Sequence, residues 1–178
     1  MCGIFGIVLG PGATFPLKTL EDSMASLFRL SESRGKEAAG LAFRGSKSLY
    51  LYKEPLDAKE LIKSDAYRNI FHSIIKDEGY TNKLERPFAI IGHSRLVTNG
   101  ISELNSNNQP VVKGKSVAIH NGIIVNTDAL YSAFPQFSRR YDVDTEVFLD
   151  LLQKYREETG SVISATRKTY EQIVGTAS

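Results

Sequence analysis

A single cysteine stands directly behind the initiator methionine in Met1-Cys2-Gly3-Ile4-Phe5-Gly6, and no other cysteine follows in 178 residues. Removal of Met1 would leave a residue with a thiol and a free α-amine on one carbon, a nucleophile beside its own potential base. A terminal amine titrates near pH ~8, well below lysine, so it can take a proton from the thiol at neutral pH. Cys2 is small, which favours removal of the methionine. Ile4, Phe5, Ile7 and Val8 form an apolar run that predicts a buried strand, which would tie down a terminus that otherwise frays. A lone cysteine is more often a small buried hydrophobe than a nucleophile. Position 2 alone does not decide between the two.

One cysteine excludes an intrachain disulfide and suits a reducing, cytoplasmic setting. The formal net charge of +2 gives no electrostatic case for nucleic acid or a membrane surface as partner. No apolar run reaches spanning length, and the N-terminus lacks the regions of a signal peptide. Three histidines (His72, His93, His120) and one cysteine make a poor zinc set, so no metal or cofactor is expected.

The chain reads as alternating strands and helices. A strand over 3–9 precedes a helix over 17–31, with Leu17, Leu20, Met24, Leu27 and Leu30 as its apolar stripe. Two hairpin strands follow over 38–43 and 48–52. Residues 56–80 read as a polar helical insertion, and 87–95 as a strand. A loop rich in Asn and Ser runs from 98 to 110. One strand is expected over 116–124, then helices over 127–134, 145–158 and 161–174. Gly175-Thr176-Ala177-Ser178 reads as a turn into a strand not supplied.

An attack by Cys2 on an amide carbonyl would need donors for the oxyanion. Asn121 offers a side-chain amide and Gly122 an unobstructed backbone N–H. Asn-Gly is also a strong hairpin-turn signal, so a plain turn competes with that reading. An amino-acid substrate would need an arginine for its carboxylate, for which Arg95 leaves an apolar strand at the edge of the polar loop. It would need a carboxylate for its ammonium. Asp144 opens an amphipathic helix, where an ordinary N-cap is the competing role. Arg34 reads best as packing, and His93 and His120 as hydrogen-bonded buried histidines.

Met1-Cys2-Gly3-Ile4-Phe5-Gly6, the run from Ser33 to Gly40, Gly92-His93-Ser94-Arg95, Asn108-Gln109-Pro110, His120-Asn121-Gly122-Ile123-Ile124 and Asp144-Thr145-Glu146-Val147 occur in the order found in class II glutamine amidotransferases. The chain resembles their glutaminase domain, an N-terminal-nucleophile hydrolase similar to those of glucosamine-6-phosphate synthase and amidophosphoribosyltransferase. Each motif alone is weak, whereas six in order are specific.

The resemblance implies an α+β fold, a four-layer α/β/β/α sandwich of antiparallel sheets, here incomplete at the C-terminus. It implies one glutaminase domain over 1–178 with no acceptor domain, so that the chain is a fragment or a stand-alone subunit whose synthetic partner is a separate chain. It implies L-glutamine as substrate, Cys2 as nucleophile, Asn121 and Gly122 as oxyanion hole, and Arg95, Thr98, Asn99 and Asp144 as substrate contacts. Ammonia would pass to a synthetase or transferase domain or chain, and an oligomer is compatible with this. Leu96 and Asn99 stand where the aminosugar-forming branch carries a tryptophan and a histidine. A non-catalytic regulatory module on the same fold, or a related hydrolase of another amide, are the alternatives.

Overall fold

A computed structural model of the chain describes residues 2–46, 48–80, 83–96 and 105–178. Its centre is a four-stranded antiparallel sheet in the order β1-β4-β2-β3, formed by β1 (Gly3–Leu9), β2 (Ala38–Arg44), β3 (Leu49–Glu54) and β4 (Phe88–Arg95). β4 lies between β1 and β2, with Gly3 opposite Ser94 and Ala38 opposite Arg95. The N-terminal strand is therefore an edge strand, and its first residues lie beside the end of β4.

Strand alternation divides the sheet into two unlike faces. Phe5, Ile7 and Leu9 of β1, Leu41 and Phe43 of β2, Tyr50 and Tyr52 of β3, and Phe88 and Ile90 of β4 point to one side. There they meet α1 (Leu17–Glu32), α2 (Ala58–Lys63) and α3 (Asp65–Asp77). The insertion expected to be a solvated surface is thus half core: Leu61, Phe71 and Ile74 are buried against the sheet.

The stripe of α1 also differs from the expected one. Leu20, Met24, Phe28 and Ser31 are buried, whereas Leu30 is 72% exposed. At about 100° per residue, Leu30 lies roughly 120° around the helix from Met24, while Phe28 lies almost above it. The larger ring at the better angle takes the core position.

The second face is covered at one end by a layer of short ladders. β5 (Val111–Lys113) pairs with β6 (Ser116–Ala118), and β7 (Gly122–Ile124) pairs with β8 (Gly175–Ala177). Behind them lie α4 (Thr127–Ala133), α5 (Thr145–Thr159) and α6 (Val162–Gln172). Val147, Leu151 and Ala165 form a small core with Ile124, and Leu149 packs with Val111 and Val143. The order of layers is helix, sheet, strand ladders, helix.

Two expectations need correction. The single strand over 116–124 is broken at residues 119–121, between β6 and β7. And 175–178 is not a turn toward a missing strand, since Gly175–Ala177 is itself the strand that pairs with β7. No helix among the described residues is long and apolar enough to cross a membrane.

Candidate active site

Cys2 precedes β1 at the point where the chain passes the end of β4. Its sulfur lies 3.4 Å from both the N–H and the carbonyl oxygen of Leu96, the residue after Arg95. Partial burial pushes the thiol above its ordinary pKa, and the Leu96 N–H and the positive charge of Arg95 pull against that rise. Gly3 lets this terminus press onto helix α1: a Cβ there would sit 2.5 Å from the Ser31 carbonyl oxygen.

Cys2 opens onto a cleft of about 320 Å³ whose lining includes Leu27, Ser31, Arg34 and Asn121. The structure thus brings Cys2 and Asn121 to one space, although 119 positions separate them in the sequence. The Asn121 Oδ1 is buried without a hydrogen-bond partner among the described residues. Arg34, which the sequence favoured as packing, lines the same cleft.

The backbone of Asn121 and Gly122 is set by β8. Asn121 N–H donates to the Ser178 carbonyl at 3.0 Å, and Ser178 N–H donates back at 3.1 Å. In an antiparallel ladder such pairs alternate with pairs that exchange no bonds. Gly122, opposite Ala177, is therefore in a non-bonded pair, and its N–H points away from β8. A side chain at position 122 would collide with the Thr176 carbonyl, 2.0 Å from the place of a Cβ, so the close pairing requires glycine.

Two residues on, the Ile124 N–H on that same edge of β7 donates to Asp144 Oδ2 at 2.8 Å. The other carboxylate oxygen of Asp144 is 3.3 Å from His120 Nδ1. The competing role of helix cap is therefore not what Asp144 supplies, for its side chain makes no capping bond to α5. Burial raises the pKa of this carboxyl, but the His120 contact and the Ile124 N–H outweigh that and hold it below its ordinary value. Asp144 thus grips both flanks of the Asn121-Gly122 pair as an anion.

Arg95 ends β4 almost fully buried, and its Nη1 donates to Asn108 Oδ1 at 2.6 Å. Gly122, Arg95 and Asp144 are not among the residues lining the Cys2 cleft. Thr98 and Asn99 lie outside the described residues. No cluster of three metal-ligating side chains occurs among the described residues.

The two histidines differ from each other: His120 is the hydrogen-bonded buried histidine expected, and His93 departs from that expectation. His120 is engaged, with Nε2 3.4 Å from the Thr176 carbonyl and Nδ1 beside Asp144 and the Thr145 hydroxyl. His93 is fully buried and neither ring nitrogen has a partner among the described residues. Burial first, and then the neighbouring charge of Arg95, lower its pKa to about 3.

Gln109 and Lys53 escaped the sequence reading as functional candidates. The signal for the first was present in Asn108-Gln109-Pro110, a compact polar motif at the end of a polar loop. Lys53 looked like any strand lysine, yet its Nζ donates to the carbonyls of Asn108 at 2.5 Å and Pro110 at 3.2 Å. Burial, with Arg95 nearby, lowers its pKa to about 8.

A family model described as a glutamine amidotransferase domain matches residues 93–174, a stretch that holds Arg95, Asn121, Gly122 and Asp144. The whole chain is 31% identical to an amidophosphoribosyltransferase of Archaeoglobus fulgidus, over 98% of this chain and 35% of that protein. It is also 31% identical to a glutamine–fructose-6-phosphate aminotransferase (isomerizing) of Pyrococcus horikoshii, over 98% of this chain and 26% of that protein. The chain carries a class II glutamine amidotransferase domain.

Solved structures agree on the fold. An allosteric regulatory enzyme of purine biosynthesis superposes with a TM-score of 0.68 at 20% identity, over 98% of this chain and 34% of the other. The glutamine phosphoribosylpyrophosphate amidotransferase of B. subtilis gives 0.62 at 19% identity, over 98% and 33%. The architecture is the α+β sandwich of antiparallel sheets between helical layers that the motifs implied. The chain spans about a third or less of the length of these relatives.

Proposed function

We propose that this glutamine amidotransferase domain hydrolyses the side-chain amide of L-glutamine to glutamate and ammonia, with Cys2 as nucleophile. The observation that carries the reading is the shared cleft, which Cys2 and Asn121 both line.

Removal of Met1 frees the α-amine of Cys2, which takes the thiol proton, directly or through a water. The sulfur attacks the glutamine Cδ, and the negative charge that develops on oxygen is met by the Asn121 amide and the Gly122 N–H. The C–N bond then breaks, the amine returns the proton to the leaving nitrogen, and ammonia departs from a γ-glutamyl thioester. Water cleaves the thioester and regenerates the thiol. Arg95 serves the α-carboxylate and Asp144 the α-ammonium, with Thr98 and Asn99 as further contacts. The held negative charge of Asp144 supports its part.

The ammonia is destined for a synthetic domain or partner chain. This extends the transferase activities by which the relatives are named to the remainder of an assembly of which residues 1–178 supply the glutamine site.

The test is glutamate release from glutamine by the protein, with intact mass measured on the same sample to establish whether Met1 is gone. Cys2→Ala is expected to abolish release while the fold and glutamine binding survive. Wild-type turnover in that variant would refute the reading. Glutamine binding without ammonia release in the mature wild type would favour a regulatory module instead.

A further inference from the structure

The β5–β6 ladder pairs Val111 with Ala118, and continuing its register by two residues would place Gln109 opposite His120. The backbone of the Asn108-Gln109-Pro110 turn does not make that pair, and Pro110 has no N–H to offer. The Gln109 side chain makes it instead. Its Oε1 accepts the His120 N–H, and its Nε2 donates to the His120 carbonyl at 3.2 Å. A buried primary amide thus stands in for a peptide group and holds both backbone polar groups of the residue before Asn121.

β8 holds both backbone polar groups of Asn121 itself. The broken stretch between β6 and β7 is therefore fastened at two consecutive residues, one by Gln109 and one by Ser178. The turn that carries Gln109 is fixed in its turn. Lys53 bonds to the carbonyls on either side of it, and the Asn108 side chain takes the Arg95 guanidinium.

We propose that Gln109 is a positioning residue for the oxyanion site, setting the direction of the Asn121 amide and the Gly122 N–H through the backbone of His120. The proposal rests on the glutaminase reading and adds to it the part that orients the donors. Through Asn108, the same turn fixes the arginine for the substrate carboxylate, so donor direction and substrate placement share one anchor.

The experiment uses Gln109→Leu, which keeps bulk and removes both bonds, and Gln109→Met, which keeps length and volume as well. For each, kcat and KM for glutamine hydrolysis are measured, together with the rate of Cys2 alkylation by iodoacetamide. Alkylation attacks a saturated carbon and develops no oxyanion. Complete loss of an oxyanion donor costs roughly 10²–10³ in rate, so misdirected donors should lower kcat about 10- to 100-fold. KM and the alkylation rate should change less than about threefold, and Met should not restore kcat.

Wild-type kcat in Gln109→Leu would overturn the proposal, as would rescue by Met. So would a parallel fall in kcat, alkylation and thermal midpoint, which marks a merely structural role. Amide hydrogen exchange separates this from failure of the glutaminase reading. Were the mature wild type inactive, exchange at 120–122 accelerated at least tenfold in Gln109→Leu would still establish the clamp, and unchanged exchange would refute it.

Discussion

The two faces of the four-stranded sheet are built from the same strands and do different work. One face meets α1, α2 and α3 through side chains that fit by volume, such as Phe28, Leu41, Phe43 and Ile90, all fully buried. The other face carries Lys53, His93 and Arg95 at its covered end, where contacts are directional and few. Packing tolerates substitution of one hydrocarbon by another of similar size. A donor aimed at a developing charge does not tolerate a change of angle. Damage to the first face should therefore appear in stability, and damage to the second in rate.

The largest separation is expected at Asn121. Asn121→Ala should lower kcat for glutamine hydrolysis about 10²- to 10³-fold, the usual cost of one oxyanion donor. Among the described residues the Oδ1 of Asn121 has no partner to lose, so the thermal midpoint should hardly move. A large fall in midpoint with kcat preserved would reverse the assignment of the two faces.

The opposite variant is Phe28→Ala. The Phe28 ring is fully buried, edge-on to Phe5 at 4.8 Å and to Tyr67 at 6.3 Å. Truncation should cost about 3–5 kcal/mol in denaturant unfolding, or a fall in midpoint on the order of 10 °C. The fraction that remains folded should hydrolyse glutamine at the normal kcat. Loss of kcat in that fraction would show that α1 transmits its packing to Cys2.

How much of this was legible in the chain follows the same division. The packed face could be read because hydrophobic periodicity is a local signal: β1, β4 and the helices stood near their expected places. Phe28 displacing Leu30 needed only the angle around one helix. The directional face was written in contacts between distant residues. Nothing near Asp144 announces that its carboxylate grips Ile124 and His120 instead of capping its own helix. Nor does 116–124 show that the strand must break so that His120 bonds to the Gln109 side chain while Asn121 pairs with Ser178. Cys2, Asn121 and Arg95 stand out in the sequence because motif order carries chemical information. Gln109 lies within a motif that announces no task for it, since its partner is a backbone eleven residues away.

His93 offers a third way to separate the faces, through pH. Its folded pKa is about 3 against an unfolded value of 6.5, so between those limits the unfolded chain binds the extra proton. Stability from this group is therefore complete above about pH 6.5 and is lost as pH falls toward 3. The slope for one such group is about 1.4 kcal/mol per pH unit. His93→Leu should flatten the acid limb of unfolding free energy against pH by up to that amount. An unchanged limb would mean that His93 is protonated in the folded chain.

The smallest effect belongs to the uncovered end of the second face. Val8 is 79% exposed, and Leu51 on the far edge strand is 39% exposed. Both sit in β-strands, where threonine is well tolerated. Val8→Thr should therefore alter stability by no more than about 0.5 kcal/mol, as exposed substitutions away from special features usually do, and should leave kcat unchanged. A cost above roughly 2 kcal/mol would require a covering on this end as well. The functional character of the second face would then owe less to the strands than to whatever lies against them. A neutral result assigns it to the segment at 108–124 that covers only the end beside Arg95.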